Sequence, residues 1–203
     1  MIATGASTNE DVSRVMKMAL KKTQDLVLMQ CNTNYTGSIE NYNYCNLNVL
    51  KQFSIDYPNI VLGLSDHTAG HATTLGAIVL GARVIEKHFT DDNNQEGPDH
   101  GFAMNPQSWR DMVNRSYELL VSLGDGVKIV EKNEEQSKLV QRRCVRVKTN
   151  LKKGHTLLES DLISLRPISE GGFEPFEKAN LIGKELLMDI DAGKHLTKKI
   201  FKL

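Results

Sequence analysis

The sequence predicts an α/β protein built on a parallel sheet and followed by a smaller β-rich domain. Short apolar runs alternate with longer segments of helical period four times over about 123 residues, which is the pattern of βα units around a parallel sheet. After that the alternation stops, residues 124–139 turn polar and charged, and short β-prone pieces broken by glycines fill the remainder.

MIAT opens the first βα unit. Ser7, Thr8, Asn9 and Glu10 follow at capping-box spacing, then Val12, Val15, Met16 and Ala19 on one helical face. LVLMQ (residues 26–30) is the second run; a polar loop, CNTNYTGS, and a helix over about 47–57 come after it. The third run covers residues 60–64 and leads to a helix of small residues over about 71–80. Val84 and Ile85 centre the fourth. A long polar loop over 91–104 then reaches Asn105-Pro106, a cap with proline at the first helical position, and a helix whose inner face holds Trp109, Met112, Val113, Ser116 and Leu120. The expected division is therefore 1–123 for the βα domain, 124–139 for an exposed linker and 140–203 for a small loop-rich domain with β-prone CVRVK and LLMDI. Within the last segment, KKGHTLLESDLISL and DAGKHLTKKIF share a weak x-G-x-x-L pattern that suggests an internal repeat.

With 203 residues, 40% of them hydrophobic, the chain has apolar surface for one medium core or two small ones. Lys plus Arg and Asp plus Glu both number 25, so no global field draws in nucleic acid or an anionic membrane. Any ligand has to be held by a local site. Cys31, Cys45 and Cys144 are odd in number and form no CxxC pair, which argues against a disulfide framework and a structural zinc site. No stretch has the length of an apolar membrane span, and MIATGAST lacks the basic start and apolar core of a signal peptide. A cytoplasmic, soluble, unprocessed protein is expected.

Two of the apolar runs end alike, in Ser65-Asp66-His67-Thr68 and in Glu86-Lys87-His88. Strands of a parallel sheet aim their C-terminal ends at one rim. Histidines one crossover apart on adjacent strands therefore lie side by side there. Such a pair suits a Mn, Zn or Fe cation, or an anionic substrate; the alternative is that each imidazole only satisfies backbone groups. Asp66, Glu86 and Lys87 add charge at the same rim, either as functional groups or paired for structural reasons.

GLSDHT, IEKHFT, GPDH, the leading ATGAS and the tail KKG...L.SL.RP together resemble the sialic acid synthase family, which includes N-acetylneuraminate, legionaminate and pseudaminate synthases and spore-coat relatives. The resemblance runs over essentially the whole chain. It implies the C-terminal half of a (β/α)8 TIM barrel, with the four runs as barrel strands five to eight, followed by a SAF (antifreeze-like) domain. It also implies a reaction, the condensation of phosphoenolpyruvate with the open-chain aldehyde of an N-acyl hexosamine, with release of phosphate. A divalent metal, usually Mn2+ with Mg2+ or Co2+ as alternatives, would polarise the aldehyde. Carried over residue by residue, His67 and His88 become the metal ligands and Ser65 a phosphate contact. Glu86 binds sugar hydroxyls or handles a proton, unless it is paired with Lys87 or another neighbour. In CNTNY, Tyr35 fits a sugar contact; ungapped pairing puts Thr33 at the phosphate-contact amide position, with Asn32 and Asn34 on either side. Asp99 resembles a ligand of sugar hydroxyls, or is a turn residue. Arg166 resembles an arginine that reaches the partner's barrel in a domain-swapped homodimer and binds the N-acyl group, whereas taken alone it reads as a surface residue. His71, His155 and His195 are assigned no chemistry.

A complete barrel takes about 250 residues, so the strands corresponding to one to four, with the family's phosphate-gripping lysines, are expected to lie outside this sequence. Four parallel strands alone would leave two bare sheet edges. The chain is accordingly expected to be a truncated product or one half of a split enzyme, partnered by the missing N-terminal barrel half. Two other functions fit the same residues: a non-catalytic fragment whose SAF domain binds a carbohydrate or a partner, and a metal-dependent sugar aldolase or isomerase that uses the histidines but not Arg166.

Overall fold

A computed structural model describes residues 1–201; residues 202 and 203 of the expected small domain lie outside the described residues. The chain divides into two compact units, Met1–Gly126 and Val127–Leu203. The first alternates strands and helices in the order β1 (Ile2–Ala3), α1 (Asn9–Ala19), β2 (Val27–Cys31), α2 (Val49–Asp56), β3 (Val61–Asp66), α3 (Ala72–Val79), β4 (Val84–Lys87) and α4 (Pro106–Ser122). The four strands form one parallel sheet in sequential order, with β1 and β4 at its edges.

Strand periodicity decides what each face does. Ile2, Leu28, Leu62, Leu64 and Ile85 join Met16 of α1 and Phe53 of α2 in the main core. The intervening residues, among them Met29, Gly63, Ser65 and Glu86, occupy the opposite face. Gly63 is required there, because a Cβ would come within 2.9 Å of both Met29 Cγ and the Val84 carbonyl oxygen. Its absence lets Met29 lie across the strand, fully buried.

The helix ends are nearly where the sequence put them. The first cap is displaced by one residue: Thr8, not Ser7, caps α1, with Asp11 as its reciprocal partner. Ser7 instead turns its hydroxyl onto the Gly5 carbonyl. Val12 and Met16 are buried on this helix, whereas Val15 is exposed. Asn105 and Pro106 start α4 as expected, Asn105 accepting from Ser108 N at 2.9 Å. The inner face of α4 is less covered than its pattern suggests. Only Met112 is buried; Val113 and Leu120 are exposed and line, with Trp109 and Ile85, an apolar groove of about 430 Å³ beside the open edge of β4.

Residues 124–139, most of them in the second unit, are exposed throughout, yet they contain a 3-10 turn at Lys132–Glu134 and the start of a helix, α5 (Glu135–Gln141). CVRVK yields β5 (Cys144–Val147), which pairs antiparallel with β6 (Leu162–Leu165). LLMDI forms no strand. Leu186 and Ile190 make single bridges to Phe201 and Leu151, and Asp189 between them accepts from Lys153 N at 2.9 Å, which bends the segment. The pseudo-repeat is real in three dimensions. Gly154 and Gly193 both take positive φ, +83° and +78°, which suits glycine. Each is followed three residues later by a fully buried leucine, Leu157 or Leu196, and then by a short 3-10 turn. The two leucines share one core with Val145, Leu162, Leu181 and Leu186. No helix among the described residues is long and apolar enough to cross a membrane.

Candidate functional site

The register of β3 on β4 pairs Ser65 with Glu86 and Asp66 with Lys87. Alternation then places Ser65 and His67 on one face with Glu86 and His88 beside them, and sends Asp66 and Lys87 to the helix-facing side. The two imidazole rings meet just past the strand ends, their centroids 5.2 Å apart. Tyr35, from the loop after β2, packs against both, at 4.3 Å from His67 and 5.6 Å from His88. Phe102 closes the far side of His88 at 5.1 Å.

One ring is hydrogen-bonded through Nδ1, and the other has a carboxylate beside the same atom. His67 is buried, and its Nδ1 lies 2.8 Å from the Asn32 carbonyl oxygen. A carbonyl only accepts, so Nδ1 carries a proton, which in the neutral tautomer leaves Nε2 as the acceptor. The half-buried His88 has its Nδ1 at 3.3 Å from Asp99 Oδ2. Imidazoles oriented this way by a carbonyl and a carboxylate are the usual outer support of a metal-binding pair. Among the described residues no group of three or more His, Cys, Asp or Glu is arranged to hold an ion. The donors at the rim are thus two imidazoles, a nitrogen pair of the kind that borderline divalent cations accept.

Ser65 is buried and donates to Glu86 Oε1 at 3.3 Å. Glu86 is exposed and does not pair with Lys87. The Lys87 ammonium lies on the other face, 2.5 Å from Asp66 Oδ2, with the two side chains 1% and 3% exposed. Two of the three rim charges thus neutralise each other inside the protein. Asp66 also accepts from Thr68 N, Thr68 Oγ1 and Thr73 Oγ1, so its charge is fully hydrogen-bonded. Nearby, burial, reinforced by the Asp66 charge, pushes the Cys45 thiol up despite the opposing Lys87.

In CNTNY, Asn34 spends its amide oxygen on Thr36 N and Oγ1. Thr33 is exposed, its hydroxyl 3.7 Å from Cys31 Sγ, and Asn32 is half-buried. The long loop delivers Asp99 because Asn93 ties it down: its amide donates to the His100 and Ala103 carbonyls at 2.8 Å and accepts from Asn105 Nδ2 at 2.8 Å. His100 Nδ1 also meets Thr90 Oγ1 at 2.7 Å. Asn93 has no sequence signal that sets it apart from other loop residues, and His100 is marked only as the last residue of GPDH. Arg166 is an exposed residue of the second unit, its Nε donating to the Gln141 carbonyl at 2.6 Å.

A parallel α/β sheet with two supported imidazoles at its C-terminal rim defines a class of protein that binds its ligands beyond the strand ends. Residues 1–128 match the family model described as NeuB family and residues 142–201 that of the SAF domain; the chain belongs to the NeuB family. It is 36% identical over 171 residues to an N,N'-diacetyllegionaminic acid synthase of Legionella pneumophila, covering 84% of this chain and 46% of the relative. It is 30% identical over 203 residues to a pseudaminic acid synthase of Campylobacter jejuni, covering 100% of this chain and 57% of the relative. Among solved structures, a spore coat polysaccharide biosynthesis protein E from Chromobacterium violaceum superposes with a TM-score of 0.65 at 23% identity, over 99% of this chain and 60% of that one, a likeness of fold. The chain thus spans about half the length of the curated relatives it matches.

Proposed function

We propose that the chain is the C-terminal part of a sialic-acid-type synthase, which condenses phosphoenolpyruvate with an open-chain N-acyl hexosamine to a nonulosonic acid and releases phosphate. The first unit would be the second half of a (β/α)8 barrel over 1–123, residues 124–139 the linker and 140–203 the SAF domain. The observation that carries this reading is the pair of imidazoles 5.2 Å apart, each with an acceptor beside Nδ1, just past the ends of adjacent strands of a NeuB-family sheet.

His67 and His88 would hold a divalent cation, Mn2+ before Mg2+ or Co2+, through Nε2. Bound there, the cation supplies Lewis-acid polarisation of the aldehyde oxygen. The chain's own residues bind and orient. Ser65 faces the phosphate, and Asn32 and Thr33 are favoured over Asn34, whose amide oxygen is engaged with Thr36. Glu86 is exposed beside Ser65, where it would bind sugar hydroxyls or handle a proton as the aldehyde oxygen becomes a hydroxyl. Asp99 fixes the His88 ring while its remaining oxygen is open to a hydroxyl, and Tyr35 walls the site against both rings. Arg166, already anchored by one N–H, keeps the rest of its guanidinium for a carbonyl such as an N-acyl group of a partner-bound substrate in a domain-swapped homodimer. The unpaired edges of β1 and β4 and the apolar groove along α4 support the remaining barrel half as a partner.

The test is phosphate release from phosphoenolpyruvate with N-acetylmannosamine or a diacetamido-trideoxyhexose, with and without Mn2+. It is run on this chain alone and with a polypeptide supplying the N-terminal half of a relative. Metal-dependent turnover in the complemented mixture, lost in His67→Ala and His88→Ala, is the expected result. Turnover indifferent to both substitutions would overturn the metal assignment, and no turnover in any mixture would overturn the synthase reading.

A further inference from the structure

The β3–β4 ladder stops at Asp66 and Lys87, one residue short of both imidazoles. Beyond it the backbone of β4 turns to a different partner, the His88 carbonyl accepting from Met104 N at 2.8 Å. No ladder hydrogen bond therefore fixes His67 against His88. The link that crosses to the residues flanking His67 is a side chain. Lys87 donates from Nζ to Asp66 Oδ2 at 2.5 Å and to the Thr68 carbonyl at 2.7 Å, gripping the last residue of β3 before His67 and the turn residue after it. Asp66 Oδ1 closes the turn around His67 by accepting from Thr68 N at 2.9 Å. Thr73 Oγ1 of α3 fixes the other carboxylate oxygen at 2.5 Å.

We propose that Lys87 is a positioning residue, which sets the separation and orientation of the His67 ring relative to His88 by clamping the turn that carries it. The proposal deepens the cation-site reading and rests on it for its functional meaning. Stability alone is a poor reason for this pair. A buried ion pair is commonly replaceable by apolar side chains at little cost or with a gain, and the same sheet face is otherwise filled by Leu28, Leu62, Leu64 and Ile85. What the pair adds is direction: four hydrogen bonds, two from Lys87 and two more to Asp66, whose geometry an apolar side chain cannot reproduce, in a place where solvent does not compete.

The experiment compares the unaltered chain with Asp66→Asn/Lys87→Met, which removes both charges together so that neither is buried alone, and with Met16→Ala, a core truncation on α1. Lys87→Gln, which keeps a donor beside Asp66 on a shorter arm, carries the same readouts if the double variant does not unfold cooperatively. Long-range 1H–15N spectra at one fixed pH report which imidazole nitrogen of His67 bears the proton, and titration with Co2+ followed by visible absorption reports imidazole ligation. In the unaltered chain and in Met16→Ala, His67 shows the Nδ1–H form alone. In the Lys87 variants it becomes a mixture and Co2+ affinity drops at least about tenfold, the scale seen when an outer support of a metal ligand is lost. A Lys87 variant that folds and keeps both the His67 spectrum and the Co2+ affinity overturns the proposal. Failure of the unaltered chain to take up Co2+ overturns the cation reading instead, and the His67 spectrum then decides the role of Lys87 by itself.

Discussion

Replacing Asn93 with alanine should loosen the loop that carries Asp99 and cost the first unit measurable stability. The side chain makes three hydrogen bonds at 2.8 Å, two as donor to the His100 and Ala103 carbonyls and one as acceptor from the Asn105 amide. A neutral hydrogen bond contributes about 0.5–1.5 kcal/mol net, so the three bound the loss at about 1.5–4.5 kcal/mol. The groups are only part-buried and water will take up some of what is freed, which brings the expected cost to about 2–3 kcal/mol. In urea this is a shift of the midpoint by about 1 M, since a chain of this size loses about 1–3 kcal/mol per molar. Trp109, the one tryptophan of the chain, stands on α4 four residues beyond Asn105 and reports unfolding of this unit by fluorescence. Asn94→Ala is the control. Its amide donates only to Asp92 Oδ1 in an exposed turn, and its removal should stay within about 0.5 kcal/mol. If Asn93→Ala is as mild as Asn94→Ala, or if amide exchange over residues 91–104 is unchanged, the loop is held by something other than Asn93.

Three further outcomes follow from the same geometry. Gly63→Ala forces a Cβ within 2.9 Å of the Val84 carbonyl, a backbone atom that cannot swing aside, and should destabilise the first unit by about 1–3 kcal/mol in the same urea assay; a loss below about 0.5 kcal/mol contradicts this packing. Maleimide at neutral pH should modify half-buried Cys31 well before Cys45, which is buried with its thiol pushed up, and before fully buried Cys144; peptide mass spectrometry that finds Cys45 labelled first refutes the burial. In the second unit, a hydrogen bond from His155, then one from Leu158 N, holds the Asp161 carboxyl below the usual aspartate range. A depressed folded-state value means stability fully present above about pH 3.9, the unfolded value, and lost as pH falls through the lower folded one. Acid unfolding of the second unit should therefore lose part of its pH slope in Asp161→Asn, and an unchanged slope rules out this linkage.

The order of strands and helices in the first unit was legible because each element has its own period and punctuation, from MIAT to the Asn105-Pro106 cap. The meeting of His67 and His88 was legible too, since equal position at the ends of adjacent parallel strands is a matter of counting. For the charges at the rim two readings stood open, functional groups or structural pairs, and parity across the sheet decides between them. Asp66, Glu86 and Lys87 look like one cluster of rim charge in the sequence, yet alternate residues go to opposite faces, so Lys87 meets Asp66 inside and Glu86 meets Ser65 outside. Thr8 capped α1 in place of Ser7 because both hydroxyls precede the helix and only the turn geometry at Gly5 selects between them. Asn93 escaped notice because two of its three partners are backbone carbonyls, which carry no side-chain signature, and the role of His100 did because its partner, Thr90, lies ten residues away. In the second unit LLMDI reads as a strand by composition, but its ends bridge to two different segments.

The two faces at the ends of β3 and β4 also constrain how such a gene can change. A single-codon deletion inside either strand would exchange its inward and outward residues, driving an imidazole into the aliphatic interior and an ammonium or carboxylate out of it. The stretch from Asp91 to Met104 is under no such frame, because side-chain amides fasten it at a few points and length between those points is free. Descendants of this protein should thus vary in loop length around this rim while keeping the spacing within Ser65-Asp66-His67 and Glu86-Lys87-His88 invariant.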